Sequence, residues 1–184
     1  MSPDLRSVLR RLKPERRRVQ LTPRSPDRLI AAASVSGRLP LVPDTNVYIS
    51  DAAGTLPAAV TTLLDQSLQF HCSVCLSEIA TGVAAYSPAS PDWPKVREYY
   101  AGLFDAIPDS RVLVPDQELW MAAGVVAGTL ARIQGLQAHQ RKECLNDALI
   151  LLTAAKAGLP VLTANRVDFD LIQQVAGTGE FVHF

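Results

Sequence analysis

Residues 144–165 read CLNDALILLTAAKAGLPVLTAN, and this stretch decides the fold class. Its first two-thirds is an apolar helical pattern interrupted by Asp147. Gly158 stands where a C-terminal cap is expected, and Pro160 prevents the helix from continuing. Val161-Leu162-Thr163 then forms a short strand-like run. The spacing predicts a helix over 139–157 followed by a strand over 160–163.

The same alternation extends outward in both directions. Further strands are predicted over 39–43, 68–72, 111–114 and 180–183, and further helices over 56–66, 74–82, 93–106, 117–133 and 169–176. Short apolar runs alternating with longer helical patterns indicate an α/β domain with a mainly parallel sheet. That domain is expected to span residues 39–184. Residues 1–38 read as a basic helical extension, with Ser2 as N-cap, Pro3 at the first helical position, and an apolar stripe of Leu5, Val8, Leu9 and Leu12. Pro14 closes that helix, a further helical turn is expected over 29–33, and 34–37 read as a linker.

The chain has 184 residues, 48% of them hydrophobic, which is enough for one domain with a real core plus a modest extension. Its apolar runs are too short for a membrane span, and its N-terminal region carries charges in place of an apolar signal core. A cytoplasmic protein is expected. Three cysteines, Cys72, Cys75 and Cys144, are an odd number in a chain that needs no stapling, so reduced thiols are expected. The formal net charge of zero hides a division. Residues 1–40 hold ten Arg or Lys against three acids, so the rest of the chain carries seven net negative charges. An acidic body with a basic arm points to a polyanion or an acidic partner.

In open parallel sheets, ligands sit beyond the carboxyl ends of the strands. Asp44 directly follows the first strand of the domain, and Asp168 follows the strand at 160–163 by a few residues. Glu78 falls one turn into the helix after the second strand. Asp147 interrupts an apolar helix, where a carboxylate needs a counter-charge, and a divalent cation is a good candidate. Four gathered carboxylates raise one another's pKa values and make sense as an ionised unit with cations bound. Hard oxygen donors select Mg²⁺ or Mn²⁺ over zinc. Asp44 and Asp147 are expected as principal ligands, Asp168 as a ligand directly or through water, and Glu78 as the acid for a second metal or a water. Thr45, Asn46, Thr163 and Asn165 are expected to hydrogen-bond around them, with ordinary turn capping as the competing role.

Asp44-Thr45-Asn46, Ser77-Glu78-Ile79-Ala80-Thr81-Gly82, Asn146-Asp147-Ala148-Leu149-Ile150, and Leu162-Thr163-Ala164-Asn165 with Asp168-Phe169 together resemble the four motifs of the PIN domain, most nearly the VapC-type ribonuclease toxins. The resemblance covers Leu41 to the C-terminus. It implies a three-layer α/β/α fold with a parallel five-stranded sheet, Mg²⁺ or Mn²⁺ as cofactor, RNA as substrate, a homodimer and a cognate antitoxin. Two features depart from the family: Pro43 stands inside the first strand, where a missing donor is unwelcome, and the basic extension precedes that strand. In that extension Arg10, Arg11, Arg16, Arg17 and Arg18 are candidate nucleic-acid contacts, and one arm arginine is a candidate to reach the carboxylates and restrain them.

Two other functions compete. A PIN-like scaffold could bind nucleic acid or protein without cutting. The spacing of Cys72 and Cys75 after a strand also matches a thiol redox pair. Glu143 lies one turn before Asp147, and Asp51 and Asp170 read as surface acids.

Overall fold

The computed structural model describes residues 4–184, so Ser2 and Pro3 lie outside the described residues. The first helix, α1 (Leu5–Leu12), is capped by Asp4, whose carboxylate accepts from the Ser7 amide at 3.0 Å. Lys13 closes it in the left-handed conformation, with φ 49°. Only Val8 and Leu12 of the apolar stripe are buried, while Leu5 and Leu9 are exposed.

Residues 29–33, expected as a helical turn, instead include a strand, β1 (Ile30–Ala31), between two short 3₁₀ segments. After it come β2 (Val42–Pro43), α2 (Thr45–Ala52), α3 (Ala58–Gln66), β3 (His71–Cys72), α4 (Ser73–Ala85) and α5 (Trp93–Asp105). The remainder is β4 (Val112–Leu113), α6 (Gln117–Gln134), α7 (Ala138–Lys156), β5 (Val161–Thr163), α8 (Arg166–Ala176) and β6 (Phe181–His183). Gly158, at φ 70°, follows α7 as the cap chemistry requires. Among the described residues, no helix is long and apolar enough to cross a membrane.

The sheet corrects the expected five-stranded arrangement. Four strands pair in parallel in the order β1-β6-β5-β2, and β3-β4 form a separate parallel pair. A single bridge, Leu41 with Gln69, links the two sheets. Pro43 supplies the physical reason. The amides of Val42 and Asp44 donate toward β5, to Pro160 and Leu162, whereas Leu41 donates the other way, to Leu68. Amides alternate sides along a strand, so residue 43 is the next that would donate toward β3, and a proline has no N–H. The ladder therefore stops after one bridge.

Side chains alternate across the four-stranded sheet. Val42, Val161 and Phe181 join a large core with α4, α6, α7 and α8, while Leu41, Leu162 and Val182 join a smaller one with Val47 of α2 and with Val60 and Leu63 of α3. Helices thus cover both faces. Near the end of the chain Gly179, at φ 90°, passes so close to Leu151 that a Cβ there would lie 2.9 Å from its side chain.

Candidate active site

Asp44 leaves the C-terminal end of β2 and caps α2, with only 3% of its surface exposed. Its carboxylate accepts from the Thr45 amide at 2.7 Å, from the Thr163 hydroxyl at 2.7 Å and from the Asn46 amide group. Burial pushes its pKa up to about 6, with the nearby Glu78 charge adding to the rise against the lowering by those hydrogen bonds. Glu78, half-buried on α4, accepts from the Thr45 hydroxyl and from the Asn146 amide at 2.7 Å.

Asp147 faces the same rim from α7. Burial raises its pKa well above the usual carboxylate range, and the charges of Asp44, Asp168, Glu78 and Glu143 raise it further. Asp168, exposed in the first turn of α8, shares a hydrogen-bond donor with it. The Asn165 amide nitrogen donates to Asp147 at 3.0 Å and to Asp168 at 2.9 Å. Thr163 ties the two halves together, donating to Asp44 and accepting from the Asn165 backbone amide at 2.9 Å. Asn46 locks the loop by accepting from the Ala164 amide at 3.0 Å. Asp44, Glu78, Asp147 and Asp168 are thus brought to one rim, and Thr45, Asn46, Thr163 and Asn165 are the groups that connect them.

The acids meet through amides and hydroxyls rather than directly. Among the described residues, no three His, Cys, Asp or Glu side chains stand as a ready-made metal cage. Among the described residues, too, none of the ion pairs involves any of the four acids. Their donors are neutral, and one amide group of Asn165 stands between two carboxylates where positive charge would be most favourable. An all-oxygen, uncompensated donor set of this kind fits a hard divalent cation.

Two residues that matter here were given no role at the site by the sequence reading. Asn146 holds Glu78 from the position beside Asp147, inside a motif quoted from the sequence in which it was given no role. Asp170, expected at the surface, is 0% exposed. It accepts from the Arg24 backbone amide at 2.7 Å, the Arg24 Nε at 2.5 Å and the Gln174 amide at 2.9 Å. Among the described residues, no arm arginine forms an ion pair with the four acids; Arg24 pairs with Asp170 instead.

The candidate nucleic-acid contacts lie away from the acids. Arg10 is exposed, Arg11 pairs with Glu118 of α6 at 2.5 Å, and Arg18 donates to the Glu15 carbonyl at 3.3 Å. Arg16 and Arg17 line a cavity at the far end of α7 and α8. Cys72 and Cys75 are both 0% exposed, and the Cys75 thiol lies 3.6 Å from the Pro43 carbonyl. The fold thus closes off the dithiol from any exchange partner.

No family model matches the chain, and no curated protein matches it. Among solved structures it is similar to FitAcB from Neisseria gonorrhoeae, with TM-score 0.54 and 21% identity over 78% of this chain and 96% of that one. It is also similar to VapBC2 from Rickettsia felis bound to a DNA fragment from their promoter, with TM-score 0.53 and 16% identity over 79% of this chain and 99% of that one. These neighbours correct the expected membership of the PIN-domain family and its VapC-type toxins. They are chains of FitAB- and VapBC-type assemblies, and at such identities they carry an α/β fold likeness, not the identity of a VapC-type toxin.

Proposed function

We propose that this chain is a divalent-metal-dependent endoribonuclease working as the nuclease component of a toxin–antitoxin pair. One observation carries the chemistry: four carboxylates share a rim without ion-pair partners among the described residues, and burial with mutual repulsion raises the pKa of both Asp44 and Asp147. The pairing with a partner protein draws on the fold likeness to FitAcB and VapBC2.

Asp44 and Asp147 would hold Mg²⁺ or Mn²⁺, with Asp168 joining directly or through water and Glu78 serving a second ion or orienting a water. A bound cation would supply the positive charge that the developing negative charge on a scissile phosphate requires. The chain's own residues prepare the rim for it. Thr45, Asn46, Thr163, Asn146 and Asn165 fix the carboxylate orientations, so little reorganisation remains when a substrate arrives. No histidine is required for this division of labour.

The test is cleavage of single-stranded RNA by the purified protein in Mg²⁺ or Mn²⁺. The activity is expected to vanish with chelator and with Asp147→Asn, while the circular dichroism spectrum is kept. RNA binding without cleavage, equal in the wild type and in Asp147→Asn, would favour the non-catalytic scaffold instead.

A further inference from the structure

A cavity of about 790 Å³ opens between α1, the N-terminal turns of α6 and the C-terminal ends of α7 and α8. It is separate from the acid rim. Asp168 lies in the first turn of α8 and Val175 in its last, seven residues or about 10 Å apart along the axis. The floor is apolar, formed by Leu12, Leu119, Ala122, Leu152 and Val175. The lining also carries five cations: Arg11, Lys13, Arg16, Arg17 and Lys156.

Two of those cations are partnered, Arg11 with Glu118 and Lys156 with Asp116. Among the described residues, Lys13, Arg16 and Arg17 enter no ion pair. Three positive charges therefore remain around one mouth after the pairs are set aside. The two pairs are solvent-exposed and weak, so they yield readily to a stronger anion. Guanidinium groups present planar forks of donors that match the oxygens of a phosphate. The volume lies in the range of pockets that enclose small molecules, with an apolar floor and a few charged groups to fix orientation. Among the described residues, no aromatic side chain lines it, so a compact apolar body fits this floor better than a base that needs stacking.

We propose that this cavity binds an organic phosphate, with the phosphate held by Arg16, Arg17 and Lys13 and a compact apolar body seated on the leucine and valine floor. The α1 docking creates the site: Val8, 1% exposed, anchors the helix in the core, and Arg132 donates to the Pro14 carbonyl at 2.7 Å to hold the turn that presents both arginines. The basic arm is thereby assigned to a ligand-binding mouth of its own.

The probe is 1-naphthyl phosphate, titrated calorimetrically into the full chain beside 1-naphthol and inorganic phosphate. Saturable one-to-one binding is expected for the naphthyl phosphate, at least tenfold tighter than for either half-probe. Arg16→Ala with Arg17→Ala should weaken it by about tenfold per arginine, as loss of charged hydrogen bonds implies. The charge-matched control Arg10→Ala with Arg18→Ala, outside the cavity, should leave it unchanged, and so should Asp147→Asn. Three results would overturn the proposal: equal binding of inorganic phosphate, equal binding of 1-naphthol, or an equal loss in the two double variants. Thermal melts of each variant separate loss of binding from loss of fold. Because Asp147→Asn abolishes only the proposed cleavage, failure of the nuclease reading leaves this result untouched.

Discussion

In metal-free buffer, folded Asp44 is expected to stay protonated to about pH 6. Its pKa rises from 3.8 to about 6 chiefly because burial removes the carboxylate from water. A rise of about two units, at about 1.4 kcal/mol each, amounts to about 3 kcal/mol. Asp44 is only 3% exposed, so solvent screening takes little from that figure. The direction follows from proton counting. Below pH 3.8 the acid is protonated in both folded and unfolded chains and costs nothing. Between 3.8 and about 6 the folded state binds more protons than the unfolded one, so stability falls as pH rises, and above 6 the full penalty remains. Asp147 acts in the same sense. His71 acts in the opposite sense, since burial lowers its pKa and its contribution is lost as pH falls below 6.5.

Carboxyl NMR titration reads Asp44 free of that competing group. In chelator its resonance should titrate near pH 6, and added Mg²⁺ should lower the midpoint, because the cation binds the ionised form and releases a proton. Urea denaturation at pH 7 should show a matching stabilisation by Mg²⁺. A midpoint near 3.8 in chelator, or one that Mg²⁺ does not move, would refute the reasoning.

Two further predictions test the frame around the site. Arg24→Met strips the ion pair from buried Asp170 and should cost about 3 kcal/mol of unfolding free energy, since an uncompensated buried charge remains; a loss below about 1 kcal/mol by urea titration would show that the arm is not pinned there. Gly179→Ala forces a Cβ to within 2.9 Å of Leu151 at φ 90°, and a loss of about 2 kcal/mol is expected in the same assay, whereas an unchanged midpoint would contradict the close approach.

Much of the chain was legible from local chemistry. The helix expected over 117–133 is Gln117–Gln134, and the strand expected over 160–163 is Val161–Thr163. Hydrophobic period, a capping aspartate or glycine, and a proline stop are all written in neighbouring residues, so sequence alone located these elements, although it gave α2 no helix and read β1 as a helical turn. It also located acids just after strands, which is why Asp44 and Asp168 could be singled out.

The tertiary structure decided what neighbours cannot encode. Asp168 and Asp170 sit two positions apart on α8, and about 100° of turn per residue sends them to opposite sides of the helix. Which side met the core was settled by packing, so one is exposed at the rim while the other is buried against Arg24. The missing donor of Pro43 could be read in advance, but not the side it would face; pairing of β2 with β5 aimed that gap at β3 and divided the strands into sheets of four and two. The edge strand β1 exists because β6 offered it a row of open backbone groups, a partner about 150 residues away along the chain.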